Sequence, residues 1–338
     1  MLKRTVTVIL IILLFLALLL LSLPNRAALH NNGLQAVNGR LELAHWDTER
    51  TEILRLDGTW EFYWNQLLFP ADFAGETPNK PALTGYIEVP SLWNERAVGG
   101  ERLPAFGCAT YRLILEHPPR HGVFGLKKNN ARFSSRVYVN GEELLSDGVP
   151  GGRVEDYESG NTPQVGFFSS NGGKLEILVQ VANYDYPNSG IPVSLELGSE
   201  NAMLRQSQRN SLFSIAILAI LLTTAFLYFN FFVVAKLNGL NEYLMLLFSV
   251  FCLLFSLINA LADQRPLLQL FPDIPFALAF KAKDFLLLAN FIVILWLFHM
   301  FKKGLLPLKP IRIISAVYGV SLIAIVLLPI RICKFIPS

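Results

Sequence analysis

The stretch LDGTWEFYW, residues 56–64, sets the fold of the first half of the chain. The alternation begins at Leu54 and runs to Trp64: Leu54, Leu56, Trp60 and Phe62 fall on one face of an extended backbone, whereas polar and charged residues such as Glu61 fall on the other. Because side chains alternate between the two faces of a β-strand, this period of two predicts a half-buried strand.

The same alternation recurs four more times before residue 200, and turn residues rather than helical patterns separate the runs. The four runs cover residues 111–115, 137–139, 175–181 and 191–197. Asn140-Gly141 fits a two-residue hairpin turn, and the SNGG sequence at 170–173 supplies residues that accept positive φ. Several short strands separated by such turns indicate an antiparallel sandwich or jelly roll.

The composition adds a membrane region to this β domain. Hydrophobic residues make up 52% of the 338-residue chain, charged residues only 16%, and the mean hydropathy is +0.41. Four apolar segments follow residue 210, and each has about the 20 residues that a membrane-spanning helix needs. They cover about residues 211–234, 243–262, 276–301 and 313–330.

The predicted order of domains is set by these boundaries. Residues 1–23 form a signal peptide or an N-terminal membrane anchor, and under both interpretations the region after residue 23 is exported. A linker (24–50), an exported jelly-roll domain (51–200), a coupling segment (201–210), a partial transmembrane bundle (211–332) and a tail (333–338) complete the chain.

The charges indicate which side of the membrane each part occupies. With residues 24–210 outside the membrane, the first and third connections between helices are cytoplasmic. Those connections carry the basic residues, as the positive-inside rule requires. The basic residues are Lys236, Lys302, Lys303, Lys309 and Arg312.

The same counts exclude a nucleic-acid partner. Residues 24–210 hold 17 Lys and Arg against 22 Asp and Glu, so the exported region is mildly acidic and has no basic stripe. The three cysteines, Cys108, Cys252 and Cys333, form no obvious pair, and we predict no disulfide.

Five strings carry a resemblance to a known fold. They are LDGTWEFYW (56–64), VPSLWNE (89–95), ATYRLIL (109–115), SSRVYVNGEELLSDG (134–148) and LEILVQVANYDYPNSGI (175–191). Their order resembles a galactose-binding-like jelly roll, similar to the N-terminal sugar-binding domain of family 2 glycoside hydrolases. Followed by a helical membrane bundle, it resembles the bacterial seven-transmembrane receptors with diverse intracellular signalling modules.

This resemblance implies a multidomain protein: an all-β galactose-binding-like jelly-roll sandwich followed by an all-α transmembrane helical bundle. It also implies a multi-pass sensor of the bacterial inner membrane, with residues from about 24 to 210 on the periplasmic or extracellular side. The output of such a sensor is a kinase, a nucleotide cyclase or a phosphatase. The chain departs from the family because it supplies four helices after the exported domain where the family has seven. We therefore expect a truncated or fragmentary receptor that lacks three helices and the output module.

Aromatic residues in predicted loops or strand ends are the candidate ligand-binding residues. Sugar and small-molecule sites place flat rings beside a few polar groups in a concave surface. For Trp93, a place in the hydrophobic core is the alternative. The candidates are Trp93, Tyr157, Asn183, Tyr184 and Tyr186.

Three charged residues, Lys281, Lys283 and Asp284, lie near the outer end of the third apolar segment. Intramembrane charge is costly and often marks a functional site. The structural alternative is an ion pair between Lys281 and Asp284, three residues apart, with the lysines reaching the outer headgroups.

No catalytic residue, metal site or cofactor site is predicted. Glycoside hydrolysis needs two carboxylates placed across a sugar. Adjacent acids such as Glu142 and Glu143 normally face solvent. His117 and His121 have a metal-like spacing, but the two prolines between them forbid the helix that would align the imidazoles. We therefore expect a protein that is not an enzyme.

The leading functional hypothesis is a sensory receptor whose exported domain binds a carbohydrate or other small ligand and shifts the arrangement of the helices. The main alternative is a non-enzymatic envelope binding or adhesion protein that uses the bundle as an anchor, and a transporter is third. The partners expected are membrane lipid, the small ligand and a second copy of the chain in a homodimer.

Overall fold

A computed structural model of the chain describes residues 33–46, 52–74, 81–119, 121–301 and 307–330. The signal peptide or anchor predicted for residues 1–23 and the tail predicted for 333–338 lie outside the described residues, as do Lys302 and Lys303. Strands occupy the first half of the described chain and helices the second, as the hydrophobic patterns predict.

The described part of the first half is built from short strands joined by turns. These strands are β1 (Arg40–Glu42), β2 (Ile53–Arg55), β3 (Gly58–Trp64), β4 (Gly85–Val89), β5 (Ser91–Leu92), β6 (Ala97–Val98), β7 (Glu101–Arg102), β8 (Gly107–Glu116), β9 (Gly122–Lys128), β10 (Asn130–Arg132), β11 (Ser134–Val139), β12 (Glu142–Asp147), β13 (Gln164–Ser170), β14 (Leu175–Asn183), β15 (Gly190–Val193) and β16 (Glu196–Ser199).

Two sheets form a β-sandwich. The larger follows the order β12-β11-β14-β8-β3-β4, with β1 added parallel to the end of β8. The smaller follows the order β13-β9-β16-β2 and is antiparallel throughout. Two short ribbons, β10-β15-β5 and β6-β7, complete the domain.

One hydrophobic core fills the space between the two sheets. Trp60, Phe62 and Tyr111 come from the larger sheet, Leu54 and Leu126 from the smaller, and all five are almost fully buried. The rings of Phe62 and Tyr111 meet edge to face with centroids 5.0 Å apart, the geometry that aromatic pairs prefer. The alternation seen in the sequence therefore has its expected cause, one buried face on each strand.

The run from 54 to 64 is divided between the two sheets, where the sequence predicted a single strand. Residues up to Arg55 pair in the smaller sheet, and those from Gly58 pair in the larger. Gly58 has φ +121°, and a Cβ built there would lie 2.3 Å from the carbonyl oxygen of Ala36. The chain passes from the smaller sheet to the larger one at this glycine. The same face stays buried on both sides of it, so the alternation of hydrophobic residues continues unchanged. The run 191–197 divides in the same way, into β15 and β16.

The predicted hairpin turn between β11 and β12 is confirmed. Asn140 has φ +49° and Gly141 φ +92°, the two positive values that a type I′ turn requires. The two strands pair antiparallel on either side of the turn.

The second half consists of helices. They are α1 (Glu200–Leu237), α2 (Tyr243–Leu261), α3 (Pro266–Leu270), α4 (Phe276–Phe301) and α5 (Leu308–Leu327). All but the short α3 are long and apolar enough to cross a membrane, so the described chain has four such helices, close to the predicted positions. The first begins at residue 200 rather than 211, and the last at 308 rather than 313.

Consecutive spanning helices pack against one another. The Ser249 hydroxyl on α2 donates to the Ala225 carbonyl of α1 at 2.7 Å, and the Trp296 indole on α4 donates to the Ser315 hydroxyl of α5 at 3.2 Å. Small residues with hydroxyl groups at such contacts let helices approach closely and satisfy polar groups inside an apolar surrounding.

Candidate functional site

The sandwich meets the bundle first through helix α1. Its predicted coupling segment, residues 201–210, is the beginning of this helix and continues without a break into the membrane segment. The Ser199 hydroxyl caps the helix by accepting from the Ala202 amide at 3.4 Å. Met203 is fully buried against Gly125 and Gly198 of the sandwich, so the helix is seated on the sheet from its first turn.

Polar contacts also hold the first turns of α1 against the sandwich. The Gln206 amide donates to a Glu196 carboxylate oxygen at 3.0 Å, and Lys127 Nζ donates to the Gln206 carbonyl oxygen at 3.4 Å. Burial lowers the pKa of Lys127, and the Glu196 charge opposes that shift. Arg205 and Glu52 add an exposed ion pair at 2.9 Å. Helix α1 therefore starts directly at the end of β16, with no loop between them.

A second contact joins the sandwich to helix α4 through four aromatic rings, Phe133, Tyr186, Phe276 and Phe280, which we call the junction cluster. Phe133 stacks on Tyr186 with centroids 4.8 Å apart. It meets Phe276 and Phe280 edge to face at 5.6 and 5.2 Å. The cluster therefore places two rings of the sandwich against the first turns of α4.

Cations lie on the outer faces of these rings. The Arg132 guanidinium is 5.3 Å from the centroid of Tyr186, and the Arg265 guanidinium is 5.1 Å from that of Phe276. Lys283 Nζ is 4.6 Å from the centroid of Phe280. A ring face attracts a cation, most strongly where water is excluded.

The structure corrects the expected ion pair of the intramembrane polar cluster. Asp284 pairs with its neighbour Lys283 at 3.6 Å, where the sequence suggested Lys281. Lys283 Nζ therefore contacts both the Asp284 carboxylate and the ring of Phe280.

Two of the predicted ligand residues lie in the interior of the sandwich. Trp93 is fully buried, its indole donates to the Pro104 carbonyl at 2.9 Å, and its ring meets Trp64 at 5.3 Å. Asn183 is also fully buried, and its amide donates to the carbonyls of Ala105 and Tyr186. Both residues shape the loops around them, and neither offers an exposed surface to a ligand.

The three predicted tyrosines lie at the end of the sandwich that faces the helices. Tyr157 and Tyr184 meet edge to face at 5.2 Å, and the Tyr184 hydroxyl donates to the Gly151 carbonyl at 3.4 Å. Burial raises the pKa of Tyr184 to about 12 and that of Tyr157 further. Tyr186 belongs to the junction cluster, and Tyr157 packs against the same group of buried residues, so α3 and α4 cover this end of the domain.

Sequence reasoning missed the helix side of this arrangement. Phe276 and Phe280 stand four residues apart at the start of α4, a spacing that places two rings on one helix face. That spacing was the available signal. Phe133 had none, because it is the single residue between β10 and β11, and its contact with α4 becomes known only from the tertiary structure.

Two open cavities lie beside the junction. One of about 630 Å³, which we call the loop cavity, lies between the loops around β12 and β13 and the segment from α3 to the start of α4. The other, of about 540 Å³, which we call the helix cavity, lies between the sandwich, α1, α4 and the loop after α2. Polar groups in the loop cavity include Ser146, Asp147, Glu158, Thr162, Gln164 and Gln269.

Asp147 ties the wall of the loop cavity to a buried ion pair. Its carboxylate lies 2.5 Å from Lys128 Nζ and also accepts from the Thr162 amide. Lys128 Nζ makes a further bond to the Ser135 hydroxyl at 3.2 Å. Burial lowers the pKa of Lys128, and the charge of Asp147 opposes the shift. The carboxylate is thus held in place by groups of the sandwich itself.

Within the described ranges, no group of three or more His, Cys, Asp or Glu side chains is arranged to hold a metal ion. His117, part of the metal-like spacing, is exposed and contacts the Glu42 carboxylate at 3.0 Å.

Comparison with known proteins gives structural likenesses only. No family model matches the chain, and no curated protein matches it. Among solved structures, a β-glucuronidase of Ruminococcus gnavus is 17% identical with a TM-score of 0.33, over 44% of this chain and 28% of that one. A β-galacturonidase of Eisenbergiella tayi is 18% identical, TM-score 0.29, over 42% and 23%. A β-glucuronidase of Faecalibacterium prausnitzii is 16% identical, TM-score 0.31, over 44% and 31%.

The chain thus spans less than a third of the length of these enzymes. Likenesses of this size say nothing about what the chain binds or does. The statement that stands on the structure is a β-sandwich followed by four helices able to span a membrane.

Proposed function

We propose that the chain is a membrane-bound sensory receptor. Its sandwich, a galactose-binding-like jelly roll on the periplasmic side, binds a carbohydrate or other small ligand in the loop cavity. Binding changes the arrangement of the helices, and the chain catalyses no reaction. The observation that carries this proposal is the composition of that cavity, whose walls come from both the sandwich and the segment from α3 to α4.

The cavity wall suits a sugar. Hydroxyl, carboxylate and amide groups from Ser146, Glu158 and Gln269 can bond to hydroxyls, while Phe276 supplies an apolar surface. Its volume of about 630 Å³ falls in the range of small-molecule sites, roughly 300 to 1,000 Å³. The predicted ligand residue Tyr157 directly precedes Glu158 in the chain.

The affinity of a ligand in this cavity depends on how the sandwich and the segment from α3 to α4 are placed relative to each other. The ligand binds more tightly to the arrangement that fits it, and only such a difference in affinity shifts a conformational equilibrium. The junction cluster connects the sandwich to α4, and helix α1 continues from the sandwich into the membrane segment without a flexible linker.

The test uses the full chain in lipid nanodiscs and a panel of neutral and acidic sugars. We expect at least one sugar to raise the Tm and to change amide hydrogen exchange at residues 238–242, the connection between α1 and α2 on the far side of the membrane. Ser159→Trp, which fills the loop cavity, should abolish both effects. Ser169→Trp, on an exposed strand position, should leave them intact.

Phe133→Ala separates binding from transmission. We expect the variant to keep the sugar-dependent protection of residues 158–164 and to lose the change at 238–242, because the ring that links the sandwich to α4 is gone. Sugar binding with no change at 238–242 in the unmodified chain would favour an anchored binding or adhesion protein. No response to any sugar would contradict carbohydrate as the ligand class.

A further inference from the structure

The helix cavity has a composition unlike that of the loop cavity. Its polar lining comes from four places: the residues between β9 and β10 and the start of β10, residues 210–214 of α1, the loop after α2, and α4. Asp263 is the only carboxylate among the described residues that line it. The other polar side chains are Asn129, Asn130, Asn210, Ser214, Arg265 and Lys283, together with Gln264.

Among the residues that line the helix cavity, Arg265 has a side-chain hydrogen-bond donor without an acceptor. Its Nη1 atom is buried and has no hydrogen-bond partner among the residues that the structure describes. The guanidinium is held against the ring of Phe276, which attracts the charge and accepts none of its N–H groups as a carboxylate would. A buried charged donor without an acceptor is costly, so its persistence in a cavity wall points to a missing acceptor.

The neighbouring acids do not supply that acceptor. Asp147 is engaged by Lys128 and by the Thr162 amide. Burial lowers the pKa of Arg265 to about 10, and the charges of Asp147 and Asp263 only oppose this shift, while Arg132 adds to it. The guanidinium therefore sits in a desolvated position where another negative charge would stabilise it.

The depth of the cavity indicates which anions reach it. Phe213 and Ser214 line it from α1, a few residues after the apolar segment begins at 211, and Leu261 lines it from the sandwich-side end of α2. This is the level at which phospholipid headgroups meet the hydrocarbon core of a bilayer. Phosphate groups are concentrated there, and a planar guanidinium binds phosphate oxygens with two parallel hydrogen bonds.

We propose that the helix cavity binds a phosphate-bearing anion, with the Arg265 guanidinium as its principal ligand. The headgroup phosphate of an anionic phospholipid is the source within direct reach, and a soluble phosphate is the other source of the same chemistry. Asn210 and Ser214 on α1 are placed to donate further hydrogen bonds, so the bound anion would join the loop after α2 to the first membrane helix. The site is separate from the loop cavity and does not depend on the sugar proposed for it.

The test measures the Tm of the full chain in a mild non-ionic detergent after addition of one of three probes. These are phosphatidylglycerol, diacylglycerol with the same acyl chains, and inorganic phosphate. A ligand that binds only the folded state raises the Tm. We expect phosphatidylglycerol to raise it by several degrees and diacylglycerol to leave it unchanged. An equal rise with millimolar inorganic phosphate would support the anion site and assign it to a soluble phosphate.

Arg265→Gln should remove the rise, and Arg209→Gln provides the matched control. Arg209 is exposed on α1 next to the cavity-lining Asn210 but does not line the cavity, so its loss removes the same charge at the same side of the membrane. An equal rise in the Arg265→Gln and unmodified chains would overturn the proposal, as would no rise with any probe in the unmodified chain.

A second variant keeps the test decisive if Arg265→Gln does not fold. Ser214→Trp fills the cavity from α1 and leaves every charge in place. We expect it to lose the response to phosphatidylglycerol, and a response equal to that of the unmodified chain would contradict binding in this cavity.

Discussion

The sandwich and the bundle use hydrophobic side chains in opposite ways. In the sandwich, Leu113 and Trp60 are 0% exposed, because protein atoms surround them. In the bundle, Phe226 is 70% and Leu327 is 75% exposed, and most of the apolar surface of each helix faces outwards. Protein packing stabilises the first region, whereas lipid is the solvent of the second. The same substitution should therefore have very different consequences in the two.

The largest expected difference is between two leucines changed to alanine. Leu113→Ala removes a fully buried side chain from the centre of β8 and should destabilise the sandwich by about 3 to 4 kcal/mol, through lost burial and the cavity that remains. Leu227→Ala on α1 is the matched control, 47% exposed, and should cost less than about 1 kcal/mol since lipid refills the space.

The tryptophans make this measurement selective. Four of the five, Trp46, Trp60, Trp64 and Trp93, belong to the sandwich, so denaturation of the full chain in detergent followed by fluorescence reports on that domain. Far-UV circular dichroism reports on the helices. Equal losses of stability for the two variants would show that the bundle is packed like a water-soluble core, and the comparison would fail.

Charged residues extend the comparison, with a somewhat smaller effect. Asp147→Asn leaves Lys128 buried without its counter-charge and should cost about 3 kcal/mol. Asp284→Asn removes a carboxylate that lies 3.6 Å from a partly exposed lysine, which keeps its contact with Phe280. That change should cost about 1 kcal/mol or less.

The double variant Asp147→Asn with Lys128→Met identifies the cause. Removing both charges should recover part of the stability lost in Asp147→Asn, because no unpaired charge stays buried. No recovery would mean that the hydrogen bond from Thr162 to Asp147, rather than the ion pair, accounts for the loss.

The parts of the structure that local patterns determine were predictable from the sequence. Alternation predicted strands in five runs, apolar length predicted the four helices, and Asn140-Gly141 predicted the hairpin turn between β11 and β12. Each of these depends on neighbours within a few residues. The change of sheet at Gly58 was not predictable, because the hydrophobic period runs through it unchanged and only the backbone of Ala36 shows why a glycine stands there.

The junction cluster could not be predicted from the sequence for a related reason. Tyr157 and Tyr186 were recognised as aromatic residues in loops, the usual position of ligand contacts. Phe276 and Phe280, which cover that end of the sandwich, are about 90 residues beyond Tyr186 and about 120 beyond Tyr157, and they belong to another domain. A single sequence shows that such rings need partners but does not pair them.

Glycine gives a third contrast, in which the two regions should respond with opposite signs. Gly58→Ala places a Cβ 2.3 Å from a carbonyl oxygen on a backbone with φ +121°, and we expect a loss of about 2 kcal/mol or more. Fluorescence-detected denaturation measures it directly. A neutral outcome would mean that the strand before Gly58 shifts freely, which would contradict the fixed crossing between the sheets.

The smallest expected effect is a gain at Gly319 on helix α5. Apart from the backbone of its own helix, no atom of the described residues lies within 4 Å of a Cβ placed there, and the backbone is helical, so alanine introduces no clash. Glycine is less favourable than alanine inside a helix by about 0.5 to 1 kcal/mol, and Gly319→Ala should raise the thermal stability of the helical signal by about that amount. The sandwich signal should not move. A loss of stability instead would show that another helix packs closely against this face of α5 in the membrane, and the outward-facing surface of the bundle would then be an interface rather than a boundary with lipid.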